Sequence, residues 1–159
     1  MAYDLNLITD RTQGDVNRYL YLKNKSFSDM TAEERLEWAS DMKGAYNCTD
    51  LNRVEGAINY LIERMRGYGY GAADVETYRL WNMETLPTAK DMAKYLKNIR
   101  DIRSAFTVMA TTPPAPDSMQ RFTYKEANDI EQILLDIDTL LTNMERSWFY
   151  STELYSGEV

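Results

Sequence analysis

The chain has no histidine and a single cysteine, and these two scarcities exclude whole classes of chemistry. Without an imidazole there is no Ser-His or Cys-His catalysis, no histidine metal site and no ordinary side-chain switch near neutral pH. One cysteine, Cys48, allows neither an intramolecular disulfide nor a thiolate zinc cage. A nucleophilic role for Cys48 would also lack its base. In Tyr46-Asn47-Cys48-Thr49-Asp50 it reads as an inert thiol near a helix start, in a chain suited to a reducing compartment. Positive charge is in short supply too: 18 Lys and Arg stand against 25 Asp and Glu, a net charge of −7. That disfavours nucleic acid as the main partner, because phosphate affinity comes chiefly from Lys and Arg. No apolar run approaches the roughly 18 residues of a membrane span. Met1-Ala2-Tyr3-Asp4-Leu5-Asn6 has no basic region before an apolar core, so no secretory leader is expected.

What is present is ordinary for a folded domain. The 159 residues are 44% hydrophobic and 27% charged, enough apolar content for one core. The periodicity predicts a mainly α fold of about five helices, near 12–26, 31–44, 49–66, 88–110 and 123–148. Thr9-Asp10-Arg11-Thr12 offers capping side chains to the first, whose Val16, Tyr19 and Leu20 supply an apolar face. Thr31-Ala32-Glu33-Glu34 is a capping box for the second, which carries Leu36, Trp38 and Met42 to a stop at Gly44. In the third, Leu51, Val54, Ile58, Leu61 and Met65 step alternately by three and four, which holds one face of a helix. Gly67, Gly69 and Gly71 end it.

Residues 67–86 break the pattern but carry Tyr68, Tyr70, Tyr78, Leu80, Trp81 and Met83, so they read as an ordered aromatic connection. The fourth helix follows Pro87-Thr88, with Asp91 placed for a cap. Its seam runs Met92, Tyr95, Ile99, Ile102, Phe106, Met109 and stops before Pro113-Pro114-Ala115-Pro116. Thr123-Tyr124-Lys125-Glu126 is a second capping box. It opens the clearest seam of all: Ala127, Ile130, Leu134, Ile137, Leu141, Met144, Trp148, widened by Ile133 and Leu140. The expected arrangement is a single domain, with an N-terminal three-helix unit followed by a long antiparallel αα-hairpin and an extended C-terminal tail over 150–159. Charge supports that hairpin. Lys90, Lys94, Lys97, Arg100 and Arg103 outnumber two acids on one side. Glu126, Asp129, Glu131, Asp136, Asp138 and Glu145 outnumber two bases on the other.

None of the constellations demands chemistry. Asp136 and Asp138 are two apart on a helix, so they point in nearly opposite directions and cannot share an ion alone. Lys90, Lys94 and Lys97 form a short basic stripe that suits salt bridges better than a polyanion. Tyr68-Gly69-Tyr70-Gly71 lacks the spacing and the Lys-Ser/Thr pair of a phosphate loop. No cofactor, metal or catalytic residue is expected. The 12 tyrosines against 4 phenylalanines suit either a core edge or a surface presented to partners. Phe149, Tyr150, Leu154 and Tyr155 are the candidate protein-interaction residues. Such a cluster has two fates that bury it: folding back on its own helices or docking on a neighbouring subunit.

Thr9-Asp10-Arg11-Thr12-Gln13, the stretch Met42-Lys43-Gly44-Ala45-Tyr46-Asn47-Cys48-Thr49-Asp50-Leu51-Asn52-Arg53-Val54, and the closing Phe149-Tyr150-Ser151 with Leu154-Tyr155-Ser156-Gly157-Glu158 carry a resemblance. Together they resemble a family of small phage and prophage proteins of Clostridia-type Firmicutes, labelled as structural or tail-region proteins. The resemblance spans the chain from residue 8 to the end and is most specific in the central stretch. It implies a non-enzymatic structural or tail-assembly role, in the virion after assembly in the bacterial cytoplasm. The implied partners are other phage structural proteins or further copies of the chain, with no nucleic acid and no membrane. The alternative is a small intracellular helical adaptor or regulator that binds a host protein.

Overall fold

The computed structural model describes residues 4–69, 75, 80–85 and 87–155, with side chains up to residue 148. Five α-helices carry it: α1 (Gln13–Lys23), α2 (Ala32–Ala39), α3 (Cys48–Gly67), α4 (Ala89–Ser104) and α5 (Tyr124–Tyr155), with one 3-10 turn at Phe27–Asp29. There is no strand among the described residues.

Each helix starts where a short polar side chain meets an acid three residues on. Thr12 with Asp15, Thr31 with Glu34, Asn47 with Asp50 and Thr88 with Asp91 form reciprocal capping boxes. At α5, the Thr123 amide donates to Glu126 at 2.8 Å and the Thr123 hydroxyl accepts from the Lys125 amide at 3.3 Å.

Helix ends differ more from expectation. α2 stops at Ala39 instead of continuing to Gly44, because Ser40 turns back to the Glu37 carbonyl with its hydroxyl at 2.7 Å. The freed segment then lays Gly44 directly on the start of α1. A Cβ there would stand 2.0 Å from the Asp15 carbonyl oxygen, so only glycine fits. α4 stops at Ser104, short of residue 110. The Arg103 guanidinium donates to the Pro113 carbonyl at 2.8 Å and the Thr112 carbonyl at 3.3 Å, drawing the connection back along the bundle. At the other extreme, α5 runs through to Tyr155. The expected extended tail is therefore helical over 150–155, while residues 156–159 lie outside the described residues. Nothing between 148 and 155 breaks a helix: there is neither glycine nor proline.

The core is built by α3, α4 and α5. Val54, Ile58, Leu61, Ile99, Ile130, Ile133, Leu134, Ile137 and Leu141 are wholly buried in it, as their spacing requires. α3 and α5 run in the same sense. Arg53 bonds Glu131, and Arg64, eleven residues later, reaches Asp138, Thr142 and Glu145. α4 packs on both. Tyr95 meets Tyr46, which meets Phe122 beside the start of α5. Arg103, near the other end of α4, holds Thr112, whose hydroxyl donates to Asp136 at 2.6 Å. The contacts of α4 thus rise along α5 in chain order: the two helices run in the same sense, and the connection 105–123 supplies the return, where the sequence predicts an antiparallel hairpin. Trp81, 3% exposed, anchors the aromatic connection before α4. Its amide and carbonyl bond the Asn52 side chain at 2.7 and 2.8 Å, and its indole donates to Glu55 at 2.9 Å. Tyr70 and Tyr78 of that connection lie outside the described residues.

An N-terminal strap over 4–12 closes the bundle. Leu5 enters the core, and the Ile8 amide donates to Glu131 at 2.6 Å. Arg11 and the Asn128 side chain exchange two hydrogen bonds through the Arg11 backbone. The Arg11 guanidinium bridges Asp50 at 2.8 Å and Glu131 at 2.7 Å, and Arg53 bonds the same two carboxylates from α3. Burial opposes the Arg53 charge, but bonds to Glu131 and Asp50 outweigh it and hold its pKa above the usual arginine value. The acids of α5 are met by the strap and by α3, whereas Arg100 and Arg103 of α4 hold the connection through Pro116 and Pro113.

Candidate interaction surface

α1, the 3-10 turn and α2 form a small lobe beside the bundle, and none of their residues belongs to the bundle's core. The lobe has its own inner pair, Leu22 at 0% and Met30 at 6% exposure. Around this pair the lobe is tied by polar contacts. Arg18 and Glu37 make a two-pronged bond across α1 and α2, at 3.0 and 2.7 Å. Lys25 donates to Glu34 at 2.7 Å and to the Tyr21 hydroxyl at 3.2 Å. Arg35 donates to the Phe27 and Ser28 carbonyls and lies over the Phe27 ring. The Tyr19 and Trp38 rings stack at 5.8 Å. The hydrogen bond from Lys25, then that from the Thr31 amide, lowers the Glu34 pKa to about 2.

So fixed, the lobe leaves large apolar side chains in water. Leu36 is 74% exposed, Phe27 61%, Tyr21 51% and Leu20 43%. The sequence pattern places Leu20 on the apolar face of the first helix, and the structure corrects that: its side chain is exposed. α1 and α2 are too short and too peripheral to bury both sides, so Leu22 and Met30 fill the small interior instead.

The candidate residues at the other end fare differently. Phe149, Tyr150, Leu154 and Tyr155 stand on the last turns of α5, and their side chains lie outside the described residues. Just before them Trp148 is 44% exposed, its ring edge-on to Tyr68 at 5.1 Å.

The acids of α5 have separate surroundings. Asp136 is buried and accepts from Thr112 and from Gln132, Asp138 pairs with Arg64, and burial followed by the Glu126 charge raises the Asp129 pKa. Lys97 of the basic stripe pairs with Asp101. Cys48 is the first residue of α3 and half-buried. Among the described residues, no three His, Cys, Asp or Glu stand close enough to hold a metal ion, and no helix is long and apolar enough to cross a membrane. Comparison with family models, curated proteins and solved structures gives no match.

Proposed function

We propose that the chain is a non-enzymatic assembly unit, a phage or prophage structural protein of the tail region, acting in the virion through protein–protein contacts. The observation that supports this reading is the lobe. It is held in shape by two capping boxes and a set of ion pairs, yet it presents Leu36 and Phe27 to solvent, 74% and 61% exposed. Exposed large apolar side chains on a stiff support are what a docking surface needs, since little entropy remains to be lost on binding. The phage setting comes from the resemblance of the stretches 9–13, 42–54 and 149–158. The partners on this reading are other structural proteins of the particle or further copies of the chain.

The test is a paired variant, Phe27→Asp with Leu36→Asp, carried in the phage or prophage that encodes the chain. Both side chains are exposed, so the helical content and the melting temperature should hold while incorporation into particles falls. Undiminished incorporation at unchanged stability would refute the lobe as the docking surface.

A further inference from the structure

A cavity of about 280 Å³ lies where the first turn of α1, the segment 43–46 and the first turn of α5 converge, and it opens to solvent on one side. Val16, Tyr46, Phe122 and Tyr124 line it, with the Tyr46 and Phe122 rings edge-on at 5.0 Å. The cations on its wall are already engaged, Arg11 with Asp50 and Glu131 and Lys43 with Asp10. The space therefore suits an uncharged, apolar group. A cavity of about 150 Å³ is enough for one benzene ring, so this one takes a phenyl side chain with room for its stem.

The same chain carries such a group. Phe27 is 61% exposed, and Arg35 holds it in place: its guanidinium lies 4.9 Å from the ring centre and donates to the Phe27 and Ser28 carbonyls. The chain's own cavity is out of its reach. The cavity borders the first turn of α1, whereas Phe27 follows the last, and the 11 residues of that helix span roughly 15 Å. Charge is complementary around the two features. Asp29 shares the 3-10 turn with Phe27, and Glu33 lies in the first turn of α2; both are exposed and without an ion pair among the described residues. Arg121 and Lys125, which flank the cavity residues Phe122 and Tyr124 in the chain, are likewise exposed and without an ion pair.

We propose that the Phe27 ring of one copy seats in the cavity of a second copy, with Asp29 and Glu33 of the first facing Arg121 and Lys125 of the second. This contact rests on the reading of the lobe as a docking surface and makes its partner a further copy of the chain. Knob and hole are different patches, so the contact is heterologous. Each copy added leaves a free knob at one end and a free hole at the other, and such contacts close into rings or continue as filaments. An aromatic anchor in a preformed pocket concentrates affinity in few residues, and opposite charges at the rim fix its orientation.

The experiment is sedimentation velocity of the purified full chain, from micromolar to millimolar concentration. Phe27→Asp removes the knob and Val16→Trp fills the hole. Wild type is expected to associate beyond the dimer as concentration rises, and each variant alone to stay monomeric. Mixed in equal amounts, the two variants should form a heterodimer and nothing larger, because the pair retains one working knob and one working hole. Asp29→Lys with Glu33→Lys should weaken self-association roughly tenfold, and adding Arg121→Glu with Lys125→Glu to the same chain should restore it. All four of these side chains are exposed, so the charge reversals decide should Val16→Trp not fold. The contact is overturned if the wild type stays monomeric at millimolar concentration, if a folded Val16→Trp associates as wild type does, if the mixed variants stay apart, or if the charge reversals change nothing. Particle incorporation that falls with Phe27→Asp and Leu36→Asp, while the pure chain never associates, would overturn this contact alone and leave the lobe as a docking surface for another protein.

Discussion

Glu131 has no exposed surface, yet it accepts hydrogen bonds from the Ile8 amide, Arg11 and Arg53, joining the strap and α3 to α5. A carboxylate moved out of water is costly, and opposite charge with full hydrogen bonding is what offsets that cost. Removing one partner leaves the others buried and uncompensated. Glu131→Gln is therefore expected to lose about 3–5 kcal/mol, measured by urea denaturation. The contrasting case is Arg18 with Glu37, where both side chains are more than a third exposed and solvent screens the attraction. Glu37→Gln should leave the urea midpoint of the whole chain within error. Comparable losses at both sites would mean that burial is not what gives the Glu131 network its weight. The sequence made neither site visible. Glu131 reads as one more acid on a charged helix face, and its partners lie 78 and 120 residues away. The Thr-x-x-Asp/Glu caps, by contrast, are local, so they are legible in four consecutive residues.

At the scale of elements, two glycines act in opposite ways. Gly44 touches the backbone of α1, so Gly44→Ala must push the 43–45 segment away. A loss of about 1–3 kcal/mol is expected in the same urea titration. Gly56 sits inside α3 with open space where a Cβ would go, and no contact explains it. Gly56→Ala should raise stability by about 0.5–1 kcal/mol through the unfolded chain's lost freedom. The lobe has its own pH signature. Glu34 titrates from 4.5 down to about 2 in the folded lobe, chiefly because of Lys25. A carboxylate so depressed stabilises the fold above its unfolded pKa, and that contribution disappears as pH falls from 4.5 towards 2. Lys25→Met should raise the Glu34 pKa in a carboxyl NMR titration and make the acid loss of the lobe begin at higher pH. An unmoved Glu34 titration would show that Lys25 is not its main partner. Helix ends proved harder to read than helix starts. Ser40 and Arg103 end α2 and α4 through contacts that depend on where Gly44 and Pro113 are carried, which no local pattern records.

Across the whole molecule, the seams of α3 and α5 were legible because three-four spacing is dictated by helix geometry alone. Leu134 and Ile137, both wholly buried, should each cost about 2–5 kcal/mol on truncation to Ala. The course of the chain between helices was less legible. The connections before and after α4 return along the bundle through Trp81 and Thr112, and long-range polar contacts of that kind leave no periodic trace. The strap leaves no such trace either, and the lobe's exposed face is hidden because apolar residues at helical spacing read alike whether they face a core or water. That face is the centre of the functional account, and the most direct measurement is quantitative mass spectrometry of purified particles and of assembly intermediates from cells carrying the encoding phage or prophage. The chain is expected in fixed stoichiometry with other structural proteins. Repeated absence from both particles and intermediates would contradict it.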